Sequence, residues 1–260
     1  MKLGRLLITV VFGLTPAILG AQEVTIGDRH DQPVEERVIY NHENAAHVTL
    51  HTQGLGAGYK VGKVRSIYKV TYWNFEASFL RSLKQIKLYN GSYWGSSSFV
   101  YGKLHDAVSL RAGYGAEHRI YGKPYWGGVE LRWLYVFGAS VALLKPYYYM
   151  VVVASPSASG EYEQKVDYQT YDQHAQWIDI VGKAPMKYGF DEIKFRPGLH
   201  AKGGLVFDIG KNRTSLQAIE VGAEAEYFPQ GLELMADNPK EYLLLTLYVS
   251  YHWGSRFNKY

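Results

Sequence analysis

The chain has 260 residues, no cysteine and a formal charge of +4, from 28 lysines and arginines against 24 acidic residues. Without cysteine there is neither a disulfide scaffold nor a thiolate metal site, and so small a positive excess, without a basic cluster, does not suggest a nucleic-acid partner. The length suits one domain or one barrel, and the chain is rich in tyrosine and glycine, with 23 and 27.

Lys2 and Arg5 precede an apolar run over residues 6–19, and Gly20 and Ala21 follow. That order predicts a secretory signal peptide, residues 1–21, cleaved after Ala21. The run is shorter than the ~20 apolar residues of a spanning helix. Residues 22–45 read as a periplasmic segment before the barrel, which is placed at 46–260. His30, His42 and Glu43 fall in that segment, and their spacing matches no ligand pattern.

Eight strands follow in the reading. Residues 46–61 form the first, with Gly54, Gly56 and Gly58 suggesting a bulge and with His47 and His51 on one face. In 68–82, Trp73, Phe75, Ala77 and Phe79 alternate with Tyr72, Asn74, Glu76 and Ser78. In 107–117, Val108, Leu110, Ala112 and Tyr114 alternate with Arg111, Gly113 and Gly115. From Val129, the residues Leu131, Trp133, Tyr135 and Phe137 alternate with Glu130, Arg132 and Leu134. Residues 146–154 are continuously apolar and are taken as the fifth strand. Residues 198–210, 215–228 and the stretch from Leu243 to Trp253 complete the set, each with period two. The last carries Leu243, Leu245, Leu247, Val249, Tyr251 and Trp253 on one face, the length and aromatic ending of a strand crossing ~25 Å of hydrocarbon.

With both termini in the periplasm, the first outer turn is expected near Gly62. Periplasmic turns are expected at Lys145-Pro146 and at residues 210–213. The long segment 155–196 then falls outside, where long loops belong. Residues 83–106 fall on the periplasmic side, at odds with their length.

The apolar faces carry no charge, while the opposite faces mix glycine with both signs of charge. A narrow lumen explains both features, because glycine makes room and opposite charges pair. Glu76, Arg111, Glu130 and Arg132 are expected in one ion-paired lumen network. Glu117, Glu224 and Glu226 are expected at the outer rim of the lumen. In the long outer loop Tyr168, Tyr171, Trp177 and Phe190 are the expected partner-docking residues, with a short helix over 172–181. His118, facing lipid at an outer strand end, and His174, beside Asp172, belong to no readable triad. The sequence therefore predicts no catalytic residues, no cofactor and no metal.

The segments Phe99-Val100-Tyr101-Gly102-Lys103-Leu104, Gly127-Gly128-Val129-Glu130-Leu131-Arg132, Lys145-Pro146-Tyr147 and Arg196-Pro197-Gly198-Leu199 resemble a family of uncharacterised outer-membrane barrel proteins of the Bacteroidota. Residues 220–229 and 243–254 look like that family's closing hairpin, and the likeness runs from about Asn44 to the end. The chain departs from the pattern in continuing from Gly254 to Tyr260 after the last strand. The resemblance implies an accessory barrel inside a larger envelope complex, such as outer-membrane protein assembly or secretion machinery, and it brings no catalytic residues.

The expectation is an all-β, transmembrane, antiparallel up-and-down barrel of about eight strands with a long extracellular loop, held in the outer membrane. Its expected partners are outer-membrane lipid and other outer-membrane or periplasmic proteins. A small channel or ligand-binding barrel is the alternative, and a lipid-modifying enzyme the third reading.

Overall fold

The computed structural model describes residues 40–123, 128–156, 162–171, 177–210, 214–236 and 238–258. The expected signal peptide, and the N-terminal segment up to residue 39, lie outside the described residues. No helix among the described residues is long and apolar enough to cross a membrane.

The strands are β1 (His42–His51), β2 (Gly54–Ser66), β3 (Lys69–Leu80), β4 (Lys87–Leu88), β5 (Phe99–Val100), β6 (His105–Tyr121), β7 (Glu130–Pro146), β8 (Tyr148–Pro156), β9 (Tyr162–Thr170), β10 (Ile180–Lys183), β11 (Lys194–Asp208), β12 (Ser215–Leu232) and β13 (Glu241–Phe257). Eight of them close a barrel in the order β1-β13-β12-β11-β7-β6-β3-β2. Every pairing is antiparallel, and β1 closes against β13 from His42↔Phe257 to His51↔Tyr248. Closure leaves no sheet edge in the wall, the condition for backbone to be stable in lipid.

Period two then sorts side chains by wall face. On β13, Leu243, Leu245, Leu247, Val249, Tyr251 and Trp253 point out, and Leu244, Thr246, Tyr248, Ser250 and His252 point in and are buried. The same sorting puts Trp73, Phe75 and Phe79 outside and Tyr72, Asn74, Glu76 and Ser78 inside on β3.

We call the end where β1 starts and β13 finishes the base, and the opposite end the crown. Three connections lie at the base: residues 67–68, 122–129 and 209–214. Four lie at the crown: 52–53, 81–104, 147–193 and 233–240. All the long insertions therefore share one end.

This corrects the sequence reading in four places. The first expected strand is a hairpin, β1 and β2, turning at Thr52-Gln53, and Gly62 lies inside β2. The expected fifth strand is not part of the wall: β8 belongs to a separate sheet of order β10-β8-β9 at the crown. One strand missed and one added leave the total at eight, but every strand between them changes direction. Residues 83–106 and the Lys145-Pro146 junction thus move to the crown, and the conflict between length and side disappears. The wall also begins at His42, not 46, so Glu43 is a lumen residue.

Candidate functional site

The lumen is filled in layers. Nearest the base, Glu43, Glu117, Glu130 and Asp208 interlock with Lys60, Arg119, Arg132 and Arg256. Arg132 reaches Glu117 at 3.1 Å and Glu130 at 2.6 Å. Lys60 reaches Glu117 at 2.6 Å and Glu43 at 3.4 Å. Arg256 bridges Glu43 at 3.0 Å and Asp208 at 2.5 Å. Arg119 joins Glu130 at 3.1 Å. Next along the strands comes an apolar layer of Tyr72, Leu134, Val136, Val206 and Ala218.

The second ion cluster centres on Arg111. Its guanidinium donates to Glu76 at 3.0 Å, Glu224 at 3.1 Å and Glu226 at 2.9 Å. Ser109 donates to Glu226 at 2.7 Å. Lys202 pairs with Glu220 at 2.9 Å and Glu76 at 3.6 Å, and its ammonium lies 4.2 Å from the Tyr248 ring centre. His252 meets Glu220 at 3.0 Å, and His47 stacks on His252 with ring centres 4.7 Å apart. Four carboxylates thus face the two permanent cations Arg111 and Lys202. His200 fits into the wall because Gly113 and Gly138 are glycines: a Cβ on either would come within 2.8 Å of the imidazole.

Toward the crown a second apolar layer closes the lumen. Leu80, Ala107, Ala142, Leu144, Phe228, Leu232, Leu234 and Leu244 form it, with Met235 against it. Above sits a cap. Its core is Phe99, Tyr147, Tyr149, Val151 and Ile180, with Tyr101 and Tyr171 packed on it. Side chains tie this sheet to the 81–104 segment: Tyr149 donates to the Val100 carbonyl at 2.8 Å, and Asn90 donates to the carbonyls of Ile178 and Ile180 at 2.8 and 3.0 Å. Asn90 opens a glycosylation sequon, yet it is buried as a structural clamp. Burial pushes the Tyr147 phenol up to about 12 and raises Tyr149 as well. Burial also lowers the Lys103 ammonium, although Asp106 opposes the shift.

The four residues expected in one network fall into two: Glu76 with Arg111 around the crown-side cluster, Glu130 with Arg132 near the base. Glu224 and Glu226 lie in the crown half but beneath the apolar plug, bound to Arg111. Glu117 is a correction, since it lies near the base with Lys60 and Arg132. The unseen β1–β2 hairpin reversed the direction assigned to β6, and so its outer end. His118 falls at the base for the same reason, stacked outside the wall on Trp133 at 5.0 Å. Of the expected docking residues, Tyr168 stacks on Tyr188 at 4.2 Å, Tyr171 packs edge-on against Tyr101, and Phe190 is exposed with Lys145 above its ring. The Trp177 side chain lies outside the described residues, as do residues 172–176. Of the expected helix, the described part is a single 3-10 turn, Trp177–Asp179, after which Ile180 begins a strand. His30 and His174 also lie outside the described residues. Among the described residues no group of three or more His, Asp or Glu has the geometry to hold a metal.

No protein-family model matches the chain, and no curated protein does. Among solved structures it is similar to Neisserial surface protein A at 8% identity and a TM-score of 0.39, covering 83% of this chain and 96% of that one. It is also similar to Ail, the attachment invasion locus protein of Yersinia pestis, at 11% identity and a TM-score of 0.34, covering 83% and 95%. At such values the barrel stands on this chain's own strand pairing.

Proposed function

We propose that the protein is an integral barrel of a Gram-negative outer membrane, without enzymatic activity, that serves as an accessory subunit of a larger envelope complex. One observation carries this reading: the wall is inverted relative to a soluble protein. Leu247 is 66% exposed and Phe137 64%, while Glu43, Glu117 and Arg111 are buried. Soluble monomers rarely expose contiguous apolar patches beyond a few hundred Å², and an apolar belt around a closed barrel fits hydrocarbon. The two longest connections, 81–104 and 147–193, both lie at the crown, which supports a periplasmic base and an external crown, with both ends of the wall on the periplasmic side. The resemblance to Bacteroidota accessory barrels points the same way.

The ion clusters and the two apolar layers leave the lumen packed, which argues for action through surfaces rather than passage. The cap has its own core and still exposes Val166, Ile178, Met186 and Phe190. That is the chemistry of a surface that another envelope protein covers. Gentle extraction from native membranes, followed by cross-linking and mass spectrometry, tests the proposal. Co-migration with envelope proteins cross-linked through crown residues is expected, and recovery solely as a monomer overturns the subunit role. In planar bilayers the purified barrel is expected to pass almost no current, and steady single-channel conductance would favour a channel.

A further inference from the structure

Residues 81–104 contain Arg81, Lys84, Lys87 and Lys103 and no acidic residue. Lys103 is paired with Asp106. Arg81, Lys84 and Lys87 are exposed, and among the described residues no carboxylate lies within salt-bridge reach of them; the Lys84 ammonium donates to Asn238 at 3.1 Å. Interleaved with these cations are exposed apolar side chains: Leu83 is 73% exposed and Ile86 70%, with Leu88 and Tyr89 beside them.

The segment's course explains its position. The β1–β2 hairpin ends low, with His51 opposite Tyr248, while β13 continues up to Glu241. After Leu80 the chain crosses above this gap. The Arg81 amide donates to the Gln53 carbonyl at 2.9 Å, Ser82 meets Glu241 at 3.4 Å, and Lys84 meets Asn238. Below it lie the outward residues Leu50, Leu55, Phe79, Leu243, Leu245 and Leu247, all exposed. The segment's exposed apolar side chains and cations therefore lie next to the top of the apolar belt.

We propose that Arg81–Tyr89 is a membrane-surface lip that binds the anionic, phosphate-bearing headgroups of the leaflet around the crown. Leu83 and Ile86 enter the acyl boundary, and Arg81, Lys84 and Lys87 pair with phosphate. The inference rests on the membrane reading above. A polybasic segment with apolar neighbours at a bilayer surface partitions by both terms, and the charged term is screened by salt. A protein partner is the competing occupant, but a strip of one charge sign, continuous with the belt, matches a lipid surface better.

The absence of native cysteine makes the test direct. Ile86→Cys and, separately, Leu247→Cys would carry an environment-sensitive dye, with the barrel reconstituted in phosphatidylcholine vesicles with and without phosphatidylglycerol. At position 86 a blue shift and protection from iodide quenching are expected with phosphatidylglycerol, and high salt reverses both. Adding R81Q, K84Q and K87Q together is expected to weaken that partitioning roughly a hundredfold. Position 247 should be immersed in every vesicle. If position 247 is immersed and 86 stays aqueous in both lipids, the lip proposal fails and the barrel reading stands. If both are aqueous, the membrane reading itself fails. If inorganic phosphate added to phosphatidylcholine vesicles reproduces the shift, the site takes a free ion and the lipid version is overturned.

Discussion

Arg111 is held by three carboxylates in a packed lumen, and the cluster around it holds more acid than permanent base. The consequence is asymmetric. Arg111→Met takes the guanidinium from buried Glu224 and Glu226, leaves Glu76 with Lys202 alone, and is expected to cost about 3–5 kcal/mol. Glu224→Gln removes one of the surplus charges and is expected to be near neutral or stabilising. Guanidinium unfolding in detergent micelles, compared for the two variants, checks the order, and equal losses would mean that the charge tally does not govern the cluster. Tyr147 offers a pH test outside the wall. Its folded value, about 12, lies above the ordinary value of 10, because burial disfavours the phenolate. The contribution of its burial to cap stability is thus intact below pH 10 and falls away as pH rises toward 12. Ultraviolet titration of Tyr147→Phe against the parent should show one late-ionising phenol missing from the variant.

The cap is fastened to the 81–104 segment partly through Asn90, which holds the carbonyls at the start of β10. Asn90→Ala leaves the Ile178 and Ile180 carbonyls without their donor and is expected to lower local stability there by about 1–3 kcal/mol. Hydrogen exchange should then accelerate at the β10 amides and leave β12 and β13 unchanged. The long wall strands were legible in the sequence, because β6, β7, β11, β12 and β13 alternate over their middle stretches; the register shifts of β6 and β12 fall near their ends. The first hairpin was readable in principle. The outward apolar set sits at even positions in Val48 and Leu50, then at odd positions in Leu55, Tyr59 and Val61. That parity change marks a reversal, but Thr52-Gln53 lacks the Asn-Gly or Asp-Gly signature of a two-residue turn. Residues 146–154 failed for the opposite reason: the run is apolar on both faces because the cap core takes one of them, so it never had the alternation of a lipid-facing wall. Pairing partners within the lumen, such as Lys202 with Glu220, depend on register across distant strands and leave no local trace in the sequence.

At the scale of the molecule, the membrane reading has lipid outside and ion pairs inside in place of the usual water and core. Leu247→Arg puts a charge on the outward face and is expected to cost about 2–4 kcal/mol if it sits near the bilayer midplane. Folding equilibria in phospholipid vesicles measure this, and a change within a few tenths of a kcal/mol would place water, not lipid, against β13. The wall is also uneven: β1 has 10 residues, whereas β12 has 18. On the membrane reading, the segment after Leu80 crosses above the low hairpin and supplies the height that flank lacks, so a slant of the strands need not become a slant of the apolar belt. Without that segment's apolar side chains the body would lean toward the short flank, or the bilayer thin beside it, at a modest cost per Å of mismatch.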